Sequence, residues 1–241
     1  MRITMQRKLR GQMSESFLIA GILSISGGLQ DAYTYMYRGK VFANAQTGNI
    51  VLLSQNLVDR NWQAALRYFS PLLFFAFGVA MAECIRMKYQ KAQRIHWRQL
   101  VLVTEIVLLF AVGFFPNEID LLANAMVSFA CAMQVQAFRK VNGYAFASTM
   151  CIGNLRSGME SLCAYGKTKD KKILQKSGYY FGIIFLFAIG AALGGHMIKY
   201  IGAKTIWISC LILLISFLCM FIKEDVEHIL EDDFRSQIEK K

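Results

Sequence analysis

Two adjacent stretches decide the fold: 17–37, FLIAGILSISGGLQDAYTYMY, and 41–58, VFANAQTGNIVLLSQNLV. The first matches the ~20 apolar residues that a helix needs to cross a bilayer, and it carries one acid, Asp31. The second is similar in length but rich in Asn, Gln, Ser and Thr. Because a carboxylate inside a span is costly unless it faces a cavity or a partner, these stretches predict a membrane protein with a polar interior.

Further apolar runs of similar length occur along the rest of the chain. With 55% hydrophobic residues, a mean hydropathy of +0.37 and two prolines, the composition is typical of an α-helical membrane protein. We predict an all-α membrane fold with about six transmembrane helices in a single integral membrane domain, 1–241. The predicted spans are 17–37, 65–85, 99–115, 119–138, 177–198 and 205–222.

The charged residues cluster in short loops between these runs. The formal net charge is 27 − 16 = +11, and five Lys/Arg without an acid lie at 86–98, while 166–176 holds five Lys and one Asp. Basic loops beside apolar runs are cytoplasmic by the positive-inside rule, which accounts for the charge without a nucleic-acid partner. We predict a multi-pass protein of a bacterial cytoplasmic (inner) membrane, with N- and C-termini cytoplasmic and an amphipathic cytoplasmic tail at 223–241.

The polar stretches 41–58 and 145–165 determine the path of the chain. If both crossed the bilayer, the basic loop at 86–98 would lie outside, against the positive-inside rule. If each enters and returns on its own side, both basic loops are cytoplasmic, and the irregular backbone must be covered by protein or by a water-filled cavity. Re-entrant half-helices are therefore predicted, and an interfacial or polar-lined crossing helix at 41–58 stays open as the alternative.

The two halves of the chain also share residues at fixed spacings. A shift of 105 places Ala32, Gly48 and Asn49 on Ala137, Gly153 and Asn154, and a shift of 112 places Tyr68, Phe69, Phe75, Gly78 and Ala80 on Tyr180, Phe181, Phe187, Gly190 and Ala192. Repeat one then covers about 17–115 and repeat two about 119–222. Three spans in each half is an odd number, which predicts inverted repeats, the arrangement of many transporters.

The candidate substrate-binding residues are polar or small residues near the predicted dips: Asp31, Thr47, Gly48, Asn49, Gly153 and Asn154. Thr47 and Asn49 are placed to cap a following half-helix, whose start exposes backbone amides and the positive end of the helix dipole. Two such ends at one centre would bind an anionic or polar group. For Asp31, pairing with Arg38 or capping a break in its helix is the structural alternative.

Other chemistry finds little support in the sequence. No P-loop, G-x-G-x-x-G, H-E-x-x-H, G-x-S-x-G or zinc-ligand spacing is present, so we predict no enzyme activity, no cofactor and no metal site. Glu105 and His196 are lone ionisable groups in predicted spans and are candidates for a proton relay. Arg156 and Glu160, four residues apart, are predicted to form a structural ion pair on one helix face.

The residues Gly28, Asp31 and Ala32, followed by Thr47-Gly48-Asn49, carry a resemblance to the YoaK family of bacterial integral membrane proteins, a domain of unknown function. The resemblance extends over nearly the whole chain. In the second half Gly153 and Asn154 match the repeated element, but Ile152 stands where a threonine is expected, which leaves no hydroxyl there. The resemblance implies an integral membrane protein and names no substrate.

Two functions follow as hypotheses. The first is a small transporter or channel-like permeation protein, of unknown small-molecule or ionic substrate, with a polar site at the membrane midplane. The second is a non-transporting scaffold or accessory subunit, in which the polar residues only join helices. A transporter requires the candidate residues to converge on a cavity, whereas a scaffold would bury them in separate contacts. The bilayer is the expected partner, together with a second copy in a homodimer.

Overall fold

The computed structural model describes residues 16–90, 97–141 and 143–220, and their regular structure is helical apart from one short hairpin. The helices are α1 Phe17–Tyr37, α2 Gln46–Val58, α3 Trp62–Tyr89, α4 Trp97–Val112, α5 Asp120–Ala137, α6 Cys151–Thr168, α7 Lys171–Ile201 and α8, residues 206–220. Strands β1 Lys140–Val141 and β2 Tyr144–Ala145 pair antiparallel, and 3-10 turns at Asn117–Ile119 and Gly202–Thr205 precede α5 and α8. The predicted tail at 223–241 lies outside the described residues.

Three helical stretches among the described residues are long and apolar enough to cross a membrane: Trp62–Tyr89, Asn117–Ala137 and Lys171–Met220. The last contains both α7 and α8. Of the other predicted spans, α1 has 21 residues but carries Gln30 and Asp31. The described part of α4 has 16 residues and begins directly after the segment 91–96, which lies outside the described residues. Six spans therefore remain a prediction.

Glycine allows the closest helix contacts. A side chain at Gly28 in α1 would clash with the carbonyl oxygen of Phe187 in α7, and one at Gly190 would clash with that of Ile25. Gly78 in α3 approaches the backbone of α5 in the same way. Small residues let membrane helices approach closely, so the pairs α1–α7 and α3–α5 form by backbone-to-backbone packing.

The helix partners in the two halves of the chain correspond. Helix α1 packs on α7, and α5 packs on α3. The short helix α2 forms a hairpin with α3, and α6 forms a hairpin with α7. These are the partners expected if α1, α2 and α3 correspond to α5, α6 and α7, as the sequence repeat predicts. The inversion of the repeats across a membrane is a separate claim and stays a prediction.

The bundle has two ends, which we name after Arg38 and Phe17. At the Arg38 end, Gly39 just beyond α1 lies against Arg67 near the start of α3 and against Asp120 at the start of α5. At the Phe17 end, the Phe17 ring packs 5.2 Å from Tyr179 near the start of α7. The C-terminal end of α1 and the N-terminal end of α3 therefore both lie at the Arg38 end of the bundle.

Candidate functional site

The middle of α1 is the meeting point of two loops. Gly27 lies ten residues from either end of this helix. Asn44, in the loop that follows α1, donates its side-chain amide to the Gly27 carbonyl oxygen at 3.3 Å. Thr149, in the loop that follows α5, lies so close to Gly27 that any side chain there would meet its methyl group. Asn44 and Thr149 correspond at the 105-residue spacing, so equivalent loop residues converge on one point.

Asp31 fixes the first loop. Its carboxylate accepts a hydrogen bond from the backbone N–H of Asn44 at 2.8 Å, and the residue is 8% exposed. Both structural alternatives for Asp31 are wrong: α1 continues unbroken to Tyr37, and Arg38 pairs with Asp120. Asp31 instead holds the returning loop at the centre of α1.

The second loop is held by Gln134 of α5. Its amide donates to the Ser148 hydroxyl at 2.9 Å and to the Leu23 carbonyl oxygen of α1 at 3.3 Å. Thr149, which meets Gly27, lies two residues before the start of α6 at Cys151. The starts of α2 and α6 are thus both brought towards the middle of α1.

The two Gly-Asn elements have one structural role in common. Asn49 accepts from the backbone N–H of Phe42 at 3.2 Å and donates to its carbonyl oxygen at 2.6 Å. Asn154 makes the same pair of bonds to Ala147, at 3.5 and 2.7 Å. Each asparagine spans seven residues and closes the loop ahead of its helix, and both are buried.

The predicted capping is wrong. Helix α2 begins after Ala45, which provides no side-chain cap, and both Thr47 and Asn49 lie inside the helix. The Asn49 amide is engaged with the loop backbone, and Thr47 is exposed. The sequence identified the position of the turn correctly but misjudged which group the asparagine would bind.

The six candidate residues do not share one cavity in the described structure. Asp31, Asn49 and Asn154 are buried, Gly48 is half-buried, and Thr47 and Gly153 are exposed. A pocket with room for about one water molecule lies at the Phe17 end; its lining comprises Tyr144, Phe146, Lys176, Tyr179, Tyr180 and Ile183, and none of the six. Among the described residues, no group of three His, Cys, Asp or Glu is placed to hold a metal ion.

A second buried polar cluster lies on another face of α1. Gln30 donates its amide to Glu105 of α4 at 3.1 Å and to the Ser209 hydroxyl of α8 at 3.0 Å. It also contacts Ser26 and Cys131. The sequence indicated Glu105 as a lone acid, and the spacing of Ser26 and Gln30 places them on one helix face. Ser209 and Cys131 come from distant segments, so no local signal could have identified them.

Comparison with known proteins identifies relatives along most of the chain. A family model described as "Protein of unknown function (DUF1275)" matches residues 19–219. The "UPF0700 transmembrane protein YoaK" of Bacillus subtilis (strain 168) is 25% identical over 185 residues, which are 72% of this chain and 80% of that protein. No solved structure matches the chain. The predicted resemblance to the YoaK family is confirmed, and so is the α-helical membrane character.

Proposed function

Since the chain belongs to the DUF1275 family, whose description gives no function, we propose from its polar centre that it is a small membrane transporter. The solute site is built around Asp31, one helical turn beyond the middle of α1. The substrate is a small molecule or an ion, and the protein resides in a bacterial inner membrane with both termini cytoplasmic. The observation that carries the proposal is the convergence of two loop–helix elements on Gly27, beside a buried carboxyl group.

Irregular backbone is expensive at membrane depth because its polar groups have no water to bind. The loop at 38–45 runs from the Arg38 end of the bundle back to the middle of α1, where Asn44 meets Gly27. Transporters place their sites at such interruptions, where half-helices begin near the midplane. A carboxyl group inside a span is by default a candidate functional site, and Asp31 lies at this interruption.

The contacts at the two ends support a re-entrant path. Helix α2 starts near the middle of α1 and ends beside α3, whose Arg67 contacts Gly39. The chain thus leaves α1 and enters α3 at the same end. In the second half, Thr149 meets Gly27, and α7 starts near Phe17 at the opposite end. We therefore propose six spans and two inverted repeats, with the two dips entering from opposite faces.

The candidate residues take different roles in this proposal. The described structure holds the candidate residues in separate contacts without a shared cavity, so the proposal requires a second conformation in which the loops separate and Asp31 binds the solute directly. Asn49 and Asn154 are positioning residues, because each sets the shape of the loop ahead of its half-helix. Thr47, Gly48 and Gly153 belong to the first turns of α2 and α6, which present backbone amides and a positive dipole end towards a bound group.

The test is solute uptake into proteoliposomes containing wild type, Asp31→Asn or Glu160→Gln. Glu160 lies on the exposed side of α6, so its substitution controls for the loss of a carboxylate. We expect wild type and Glu160→Gln to admit one class of solute from a panel of cations, anions and neutral molecules, and Asp31→Asn to be at least tenfold slower. Equal rates in wild type and protein-free liposomes would refute transport, and an unchanged Asp31→Asn rate would remove Asp31 from the site.

A further inference from the structure

Glu105 is fully buried, and its Oε1 accepts a hydrogen bond from the Gln30 amide at 3.1 Å. Its Oε2 is buried and has no hydrogen-bond partner among the described residues. The Gln30 side chain that contacts it is itself hydrogen-bonded to Ser26 of α1, Cys131 of α5 and Ser209 of α8. None of these is a cation. An ionised carboxylate with no counter-charge is very unfavourable at such a place.

The hydrogen bonds around Gln30 give Glu105 only an uncharged donor. The Gln30 Nε2 lies 3.0, 3.0 and 3.1 Å from the oxygens of Ser26, Ser209 and Glu105. The Ser26 and Ser209 hydroxyl groups also bond to each other, so the two amide hydrogens suffice for Glu105 and one serine. Among the described residues, the carboxyl group of Glu105 therefore receives its hydrogen bond from a neutral amide and not from a cation.

We propose that Glu105 is a buried proton-binding site and that its proton is the coupling ion of the transport cycle. The coupling role rests on the proposed function, whereas proton binding does not. Release breaks the O–H bond of Glu105 and passes the proton to a water molecule, leaving a carboxylate and hydronium. Water can reach Glu105 only if α1 separates from α4 and α8. Because Gln30 and Asp31 are consecutive in α1, the same movement displaces Asp31 and its loop.

Infrared spectroscopy of the membrane-embedded protein tests the protonation. At neutral pH we expect a carbonyl band of a protonated carboxylic acid that shifts when glutamate is labelled with ¹³C at its side-chain carboxyl group. The band should be lost in Glu105→Gln and kept in Glu160→Gln. Absence of a label-sensitive band in wild type would overturn the site. The absence of the band can be established in wild type alone, so the proposal can be refuted even if Glu105→Gln does not fold.

The flux assay then tests the coupling separately. In proteoliposomes, an imposed pH gradient should drive uphill accumulation of the solute by wild type but not by Glu105→Gln. Accumulation that ignores the gradient would overturn the coupling role while the band would still establish proton binding. A label-sensitive band without any flux in wild type would instead count against the proposed transport function and remove the coupling role with it.

Discussion

Arg38, the residue after α1, and Asp120, the first residue of α5, form an ion pair of 2.9 Å in which the arginine side chain is completely buried. The guanidinium also donates to the backbone oxygens of Val112 and Phe115, at 3.1 and 2.9 Å. In return, the amide of Asn124 donates to the Arg38 carbonyl oxygen at 2.7 Å. Arg38 therefore joins α1 to the α4–α5 connection, across the boundary between the two halves of the chain.

Loss of Arg38 should destabilise the protein. Removing one partner of a buried ion pair costs about 3–5 kcal/mol, and we expect the lower part of this range because Asp120 is 27% exposed. Arg38→Lys should also be destabilising, because an ammonium group cannot match the planar donors of arginine. Thermal unfolding in detergent measures both. Arg156→Ala, which breaks a pair that is 81% and 62% exposed, is the control and should leave the midpoint unchanged. Equal midpoints in all variants would contradict the prediction.

Asn49 and Asn154 should have matching effects on stability. Each alanine substitution leaves a backbone N–H and a carbonyl oxygen without their partner, at a cost of about 1–3 kcal/mol for a buried group. Asn56→Ala is the control, because Asn56 bonds to the Leu52 carbonyl oxygen within its own helix. The free energy of unfolding in detergent, compared between wild type and these three variants, tests the prediction. A loss at one asparagine without a loss at the other would show that the two elements are not structurally equivalent.

Two glycines of α7 allow a matched comparison. Gly190→Ala should destabilise the α1–α7 pair, because its methyl group meets the Ile25 backbone, whereas Gly178 has nothing within 4 Å of an added Cβ. Gly178→Ala should be neutral or stabilising, since alanine is favoured over glycine in a helix by about 1 kcal/mol. Thermal midpoints of the two variants should therefore move apart. Identical shifts would mean that the α1–α7 crossing is wider than described. Gly28→Leu should behave like Gly190→Ala.

The proposed topology predicts which single cysteines react from outside. In a cysteine-free background, cysteine at Asn61 or Asn117 should react with a membrane-impermeant thiol reagent added to intact cells. Cysteine at Thr168 should react only after permeabilisation, because the 166–176 loop is assigned to the cytoplasm. Labelling at Asn61 from the cytoplasmic side alone would mean that 41–58 crosses the bilayer. The inverted repeats would then have to be abandoned.

The sequence predicted several local features correctly because their partners lie nearby in the chain. The ion pair of Arg156 and Glu160 forms at 2.8 Å, as a four-residue helical spacing requires. The repeated Gly-Asn positions do mark equivalent turns. Asparagine suits both the capping of a helix and the closure of a loop, so the residue type alone misjudged the role of Asn49. The position of Phe42 in space, whose carbonyl oxygen accepts from Asn49, distinguishes the two roles.

What the sequence alone determined is the class of protein: long apolar runs, basic loops and an acid inside a span are properties of local composition, and they predict a helical membrane protein without knowledge of any contact. What only the tertiary structure decided is which polar groups meet. Gly27 contacts loops 17 and 122 residues further along, and Gln30 bonds to Glu105 and Ser209, 75 and 179 residues away. Such pairings depend on the close crossing of α1 and α7 and on the return of the loop at 38–45. A buried polar group needs a partner, but its chemistry does not specify which distant residue provides it.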